Sequence, residues 1–103
     1  MNFYEKVYEI CKKIPEGKVS SYKEVARALN SKAYRAVGQA LSCNPYSDVS
    51  CYRIVSSSGK LTGFYGEKNK KALDKKAKLL RKEGIKVENN KVVDFEKVLF
   101  RLK

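Results

Sequence analysis

The chain has 103 residues, of which 43% are hydrophobic, and a formal net charge of +12 from 23 Lys and Arg against 11 Asp and Glu. This length supports one modest hydrophobic core and is too short for two, so we expect a single domain over residues 1–103. The positive charge favours an extended polyanion, first of all nucleic acid, as the partner. A lysine-rich surface that serves only solubility or heat tolerance is the plainer alternative.

The cysteine and histidine content limits the chemistry. Cys11, Cys43 and Cys51 are an odd number in a chain without a signal-peptide pattern, and there is no histidine. We therefore expect a reducing, cytoplasmic location, no disulfide framework and no metal site. The sequence contains no apolar run long enough to cross a bilayer, so we expect no membrane association.

The first half of the chain predicts three helices. Apolar residues recur at helical spacing over residues 2–14, before a Pro and a Gly. Ser21 and Glu24 have the spacing of a capping box, which predicts a second helix over about residues 22–29. A third helix, over about residues 32–43, stops at an Asn-Pro pair. Two short helices joined by a tight turn are typical of a helix-turn-helix, although other helical cores also contain such pairs.

The second half combines short extended pieces with helices. The stretch "CYRIVSS" alternates like a strand, and the Gly-punctuated residues 57–69 suggest a hairpin or loop. A lysine-rich helix over about residues 73–82 precedes a hairpin around Asn89-Asn90 and a closing helix capped by Asp94. The order of elements predicts a small α+β, winged-helix-like domain with a helix-turn-helix, a short β wing and C-terminal helices.

Four stretches in register carry a resemblance: "VYEICKKIPEGKVSSYKEVARAL", "YRAVGQALSCNP", "SCYRIVSSSGKLTGFYG" and "LDKKAKLLRKEGI". Over about residues 7–85 the chain resembles the active-site domain of the O6-alkylguanine-DNA alkyltransferases. The resemblance implies that an O6-alkylguanine is flipped out of duplex DNA and that a cysteine thiolate takes its alkyl group. The resulting thioether is not reversed, so each molecule acts once, and no cofactor is needed.

The resemblance also implies the roles of the reacting residues. Cys51 matches the alkyl acceptor, and Tyr22 matches the tyrosine that contacts the purine and helps to neutralise the leaving guanine. Glu83 matches the glutamate that orients the histidine of the family. This chain reads Ser-Cys-Tyr-Arg where the family reads Pro-Cys-His-Arg, so that general base is absent. We expect Tyr52 to replace it as a hydrogen-bond link between Cys51, a water and Glu83, while a local positive field supports the thiolate.

One helix carries the residues that the resemblance assigns to DNA. Arg35 matches an arginine finger that fills the gap left by the flipped base through the minor groove, and Ala36 and Gly38 allow the helix to approach closely. Tyr34 stands where a small residue is common, so we expect it to lie against the DNA backbone or to alter the filling of the gap.

Other residues are implied as the substrate pocket. Asn44 matches a hinge residue that braces the turn before the cysteine, and the carbonyl of Ile54 and the N–H of Tyr65 are expected to hydrogen-bond the guanine. Lys76 aligns with a lysine that lies near the site in the family. The complete predicted pocket consists of Asn44, Arg53, Ile54, Gly63, Phe64, Tyr65 and Gly66.

Three readings of the function stay open. The first is a monomeric, nucleoid-associated alkyltransferase acting on duplex DNA that contains O6-alkylguanine. We expect it to lack the amino-terminal domain often seen in the family, as a minimal form or a piece of a larger polypeptide with a fused or associated DNA-repair domain. The second is an alkyltransferase-like protein that binds the lesion and flags it for excision repair. The third is a winged-helix regulator. The second class typically has Trp or Ala at the acceptor position, so the cysteine favours the first.

Overall fold

Five α-helices and four short strands make up the computed structural model, which describes residues 2–46, 48–63 and 68–102. A single 3₁₀ turn, Cys51–Arg53, lies between the third helix and the second strand. The helices are α1 Phe3–Cys11, α2 Tyr22–Ala28, α3 Tyr34–Ser42, α4 Lys70–Lys82 and α5 Phe95–Val98. The strands are β1 Ser20–Ser21, β2 Ile54–Val55, β3 Val87–Glu88 and β4 Lys91–Val92.

Helices α1, α2 and α3 form the first layer and confirm the predicted helical half. Ser21 opens α2 by accepting a hydrogen bond from the Glu24 N–H at 3.1 Å, as the capping-box spacing predicted. The apolar faces of the three helices bury Val7, Val25 and Val37 in one core. Helices α2 and α3 are joined by a short turn, so the predicted helix-turn-helix is present.

A short parallel sheet connects the helical layer to the cysteine. Strand β1 pairs in parallel with β2, with Ser20 opposite Ile54 and Ser21 opposite Val55. The strand β1 ends directly before Tyr22, and β2 begins directly after the turn that contains Cys51. Because the two strands lie side by side, Tyr22 and Cys51 lie near each other, although they are almost thirty positions apart in the chain.

The second layer contains α4, the β3–β4 hairpin and α5. Asn89 and Asn90 have φ values of 51° and 59°, the left-handed conformation that both central residues of a type I′ turn require. The predicted hairpin is therefore confirmed. Within residues 48–63, the predicted Gly-rich hairpin or loop forms a tight turn, in which the Ser56 N–H donates to the Lys60 carbonyl at 3.0 Å, and Lys60 also pairs with Lys91 of β4.

Two local predictions were wrong. Cys51 does not lie in a strand but opens the 3₁₀ turn, in which the Arg53 N–H donates to the Ser50 carbonyl at 3.0 Å. Asp94 has a φ of 53° and makes no side-chain cap, and the helix after it has only four residues. The reason is tertiary: the residues after α5 are extended because Val19 donates to the Val98 carbonyl and accepts from the Phe100 N–H.

The lengths and compositions of the helices also bear on the membrane prediction. Within residues 2–46, 48–63 and 68–102, no helix is long and apolar enough to cross a membrane.

Candidate active site

A cavity of about 400 Å³ lies among α2, α3, the Cys51–Arg53 turn and α4. The rest of its described wall is formed by Gln39, Leu41, Ser42, Thr62, Gly63 and Lys68. Five of the residues predicted from motifs line it: Tyr22, Arg35, Gly38, Cys51 and Gly63. The fold thus brings together residues from four separate segments of the chain.

Cys51 is held at this cavity with only 7% of its surface exposed. Its own N–H donates to the Val49 carbonyl at 3.0 Å, which fixes the start of the turn. The same carbonyl accepts from the Asn44 side chain at 3.1 Å, while the Asn44 oxygen accepts from the Tyr46 N–H at 3.0 Å. Asn44 therefore braces the segment before the cysteine, the position that the motif predicted for it.

Tyr22 presents its phenol to the cavity from the first turn of α2. Its hydroxyl hydrogen-bonds the Thr62 hydroxyl at 3.1 Å. Burial raises the pKa of Tyr22 above its ordinary value, and the contact with Thr62 only partly offsets this. The phenol consequently stays protonated near neutral pH and can donate a hydrogen bond to a bound base.

Helix α3 forms the outer rim. Arg35 is exposed and lines the cavity mouth, and Tyr34 beside it keeps 46% of its surface exposed. A Cβ placed on Gly38 would meet no atom within 4 Å, so the protein itself does not require glycine there. The space above Gly38 is open to a ligand. Ala36 is half-buried and does not line this cavity.

Lys76 is the most unusual residue of the wall, because only 1% of its surface is exposed. Its Nζ donates to the Ile54 carbonyl at 2.6 Å and to the Gly63 carbonyl at 3.0 Å. Burial lowers its pKa to about 8, while the charge on Cys51 acts in the opposite direction. Among the described residues no carboxylate forms an ion pair with it.

The predicted pocket did not include Lys76, although its alignment had placed it near the site and the sequence of α4 contains a second signal for it. Lys76 shares a helix face with Leu73, Ala77 and Leu80, at spacings of three and four residues. In an apolar stripe of this kind, either the long side chain of the lysine brings its ammonium group to the surface, or the ammonium is buried because it serves a function. Thr62 and Lys68 were also missed, and nothing in their local sequence distinguishes them.

A second cluster lies next to the cavity but does not line it. Arg53 pairs with Glu83 at 2.7 Å from Nη2 to Oε2 and at 2.9 Å from Nε to Oε1. The Tyr52 hydroxyl and the Gly17 N–H also donate to the Glu83 carboxylate, and Arg53 Nη1 donates to the Ile14 carbonyl at 2.9 Å. The two charged side chains are only 14% and 6% exposed. This cluster joins the cysteine turn to the end of α4.

The protonation of this cluster is fixed by its contacts. Burial acts to raise the pKa of Glu83, but the hydrogen bonds from Arg53, Tyr52 and Gly17 outweigh it, so the pKa lies below its ordinary value. Burial and the bond to Glu83 raise the pKa of Tyr52. Tyr52 is therefore a proton donor to Glu83 and a poor general base.

Several predicted pocket residues lie elsewhere or are not described. Tyr52, Arg53 and Glu83 do not line the cavity. The predicted hydrogen bond between Tyr52 and Glu83 is present, whereas the predicted connection from Tyr52 to Cys51 through a water stays a prediction. The Ile54 carbonyl accepts from Lys76, which leaves one of its two lone pairs for another donor. Phe64, Tyr65 and Gly66 lie outside the described residues.

The inventory of possible metal ligands is short. The described residues contain no group of three or more Cys, Asp and Glu side chains that could hold a metal ion.

The fold and the cavity together define a class: a small helix-turn-helix domain whose second helix borders a pocket with a buried cysteine. Residues 2–85 match the family described as "6-O-methylguanine DNA methyltransferase, DNA binding domain". The chain belongs to this family.

Relatives and structures agree with this assignment. The chain is 41% identical to a methylated-DNA--protein-cysteine methyltransferase of Sulfolobus acidocaldarius, over 84% of this chain and 52% of that protein. It is 34% identical to a bifunctional methyltransferase/endonuclease of Picrophilus torridus, over 89% of this chain and 30% of that protein. It therefore spans about half or less of the length of these curated relatives.

Among solved structures, S. pombe Atl1 in complex with damaged DNA containing O6-carboxymethylguanine matches with a TM-score of 0.82 and 27% identity. The match covers 96% of this chain and 94% of Atl1.

The Arg53–Glu83 pair generates a stability prediction. Since Glu83→Gln leaves a buried guanidinium without its counter-charge, we expect a loss of about 3 kcal/mol of unfolding free energy at neutral pH. Because the folded pKa of Glu83 is depressed, its contribution is present above the unfolded value and is lost as the pH falls through the folded value. The difference between variant and wild type should consequently shrink in acid.

Urea unfolding at neutral and acidic pH measures both effects. Glu88→Gln is the matched control, since Glu88 is an exposed residue of β3. A Glu83→Gln variant as stable as the wild type at neutral pH would show that the pair contributes nothing.

Proposed function

We propose that this domain repairs O6-alkylguanine in duplex DNA by one irreversible transfer of the alkyl group to Cys51. The observation that carries the proposal is the cavity itself. Cys51, the Tyr22 phenol and the exposed Arg35 of α3 line one cavity. A flipped base enters such a space only from the side that faces the DNA.

The chemistry is a single displacement at carbon. The thiolate sulfur donates its electron pair to the alkyl carbon, a carbon–sulfur bond forms, and the bond from that carbon to guanine O6 breaks with its electrons on the purine. Tyr22 is a protonated hydrogen-bond donor placed to stabilise the negative charge that develops on the leaving guanine. The thioether product has no route back to a thiol, so one molecule accepts one alkyl group.

Because the histidine is missing, another group must favour ionisation of the Cys51 thiol. Lys76 supports an electrostatic answer, because it is a buried cation on the wall that also contains Cys51. With a pKa of about 8 it carries its charge at neutral pH, and in a site of low dielectric that charge favours the anionic sulfur. Losing a general base costs roughly 10²- to 10⁴-fold in rate, which a reaction that occurs once can tolerate.

Binding to DNA is assigned to α3 and its surroundings. Arg35 and Tyr34 are exposed side by side at the first turn of α3, and the whole chain carries a charge of +12. Cationic side chains that contact phosphates supply affinity with little dependence on sequence, and a side chain inserted through the minor groove supports base flipping. The match to a protein solved on damaged DNA supports the same orientation.

One alternative function has a specific observation in its favour. An alkyltransferase-like protein binds the lesion without transfer, and the absence of histidine at the residue after Cys51 is compatible with that reading. The cysteine itself argues against it, because Cys51 lines the same cavity as the buried Lys76. The two readings differ in one measurable product.

Intact-protein mass spectrometry measures that product directly. After incubation with excess duplex DNA containing O6-methylguanine, we expect the wild type to gain the mass of one methyl group and no more. Cys51→Ser should gain nothing while it still binds the same DNA. Lesion binding without a mass change in the wild type would replace the transfer proposal with the binding-only function.

Arg35→Ala tests the finger. Because Arg35 is needed only when a base must leave the duplex, we expect transfer from O6-methylguanine in duplex DNA to slow by roughly 100-fold. Transfer from free O6-benzylguanine should stay within about threefold of the wild type, by the same reasoning on base flipping. Arg27→Ala removes another exposed guanidinium, one that does not line the cavity, and should change neither rate. Equal losses in both assays would contradict the finger role.

A further inference from the structure

The charge on the cavity wall is of one sign. Arg35, Lys68 and Lys76 line the cavity, and no Asp or Glu is among its described lining residues. Because Arg35 is assigned to the gap in the duplex, Lys68 and Lys76 with one thiolate leave a formal charge of +1 around the place where a lesion would bind. One cation is enough to balance the charge of the thiolate, so the wall keeps a net positive charge.

The deepest of these cations has unused hydrogen-bonding capacity. A lysine ammonium has three N–H donors, and within the described residues two of them are accepted by the Ile54 and Gly63 carbonyls. Carbonyl dipoles solvate a buried ammonium without neutralising it, and no carboxylate of the described chain does so. A buried charge in this state is stabilised by an anion that reaches its remaining N–H.

Lys68 is a second lysine of the cavity wall. It is exposed, lies two residues before the first turn of α4 and lines the same cavity. Because Lys68 is exposed, the ions of the solution screen its charge more than they screen the charge of Lys76. The wall therefore has one buried cation, Lys76, and one exposed cation, Lys68.

We propose that the pocket prefers O6-alkyl groups that carry a negative charge, of the carboxymethyl type, over neutral groups of the same size. The inference rests on the proposed function and names the substrate class of the same site. In the transfer step the sulfur bonds the methylene carbon, the bond from that carbon to guanine O6 breaks with its electrons on guanine, and the product is S-carboxymethylcysteine. The carboxylate approaches the thiolate in this step, and the surrounding cations offset the repulsion between them.

The test compares two lesions that differ only in charge. Duplexes containing O6-carboxymethylguanine or its neutral amide, O6-carbamoylmethylguanine, are reacted in single turnover, and the ratio of their rates is measured for the wild type and for Lys68→Gln. The comparison between proteins cancels the intrinsic reactivities of the two lesions. Lys70→Gln is the matched control, because it removes the same charge from an exposed residue that does not line the cavity.

We expect Lys68→Gln to lower the ratio, carboxymethyl over carbamoylmethyl, by about fivefold, and Lys70→Gln to leave it unchanged within about 1.5-fold, since a charge at the site acts far more strongly than a screened one outside it. A ratio that does not change in Lys68→Gln, or that changes equally in both variants, would overturn the proposal.

Competition binding of the two lesions to Cys51→Ser separates this inference from the transfer proposal. Tighter binding of the carboxymethyl duplex, weakened in a Cys51→Ser, Lys68→Gln double variant, would support the charge preference even if the wild type transferred nothing. Equal affinity of Cys51→Ser for the two duplexes would contradict the preference, whether or not the wild type transfers.

Discussion

The hydrogen bonds from Lys76 to the Ile54 and Gly63 carbonyls are the interaction on which the site depends. They connect α4 to β2 and to the segment after it, and β2 in turn pairs with the strand that precedes Tyr22. One buried ammonium thus holds three walls of the cavity in place. The arrangement is costly: a folded pKa near 8 against an ordinary 10.5 corresponds to about 3 kcal/mol of destabilisation at neutral pH. We propose that this cost is tolerated because the charge serves the chemistry of Cys51.

The Arg53–Glu83 cluster has a different task. Its carboxylate receives hydrogen bonds from Arg53, Tyr52 and Gly17, so it joins the cysteine turn, the end of α4 and the loop after α1. A carboxylate with this many donors is well stabilised as an anion and has little tendency to take a proton from a thiol. In our account the cluster positions the turn, and the positive charge of Lys76 favours the thiolate that a general-base histidine is expected to generate in other members of the family.

Local patterns predicted much of this structure. The Ser21 cap, the helix-turn-helix and the Asn89-Asn90 hairpin followed from short-range rules. The order of the motifs identified Cys51 and Tyr22 as pocket residues, and both line the cavity. The failures depended on long-range contacts. The 3₁₀ turn at Cys51 orients Arg53 toward Glu83, thirty residues away. Asp94 does not cap a long helix, because the residues after α5 extend to pair with Val19. The apolar stripe of α4 places Lys76 on the inner face of the helix, but whether its ammonium is buried or reaches the surface depends on what α4 packs against.

The measurement that tests the central claim most directly is the single-turnover rate of methyl transfer at neutral pH in Lys76→Met and Tyr52→Phe. Met keeps the length and the apolar stem of lysine without its charge, and Phe removes only the hydroxyl that contacts Glu83. If the buried cation supports the thiolate, Lys76→Met loses roughly 100-fold in rate, the scale of a lost general base, while Tyr52→Phe stays within about threefold of the wild type. The reverse pattern, a large loss in Tyr52→Phe and little change in Lys76→Met, would contradict the account and restore the Tyr52–Glu83 pair as the activating group.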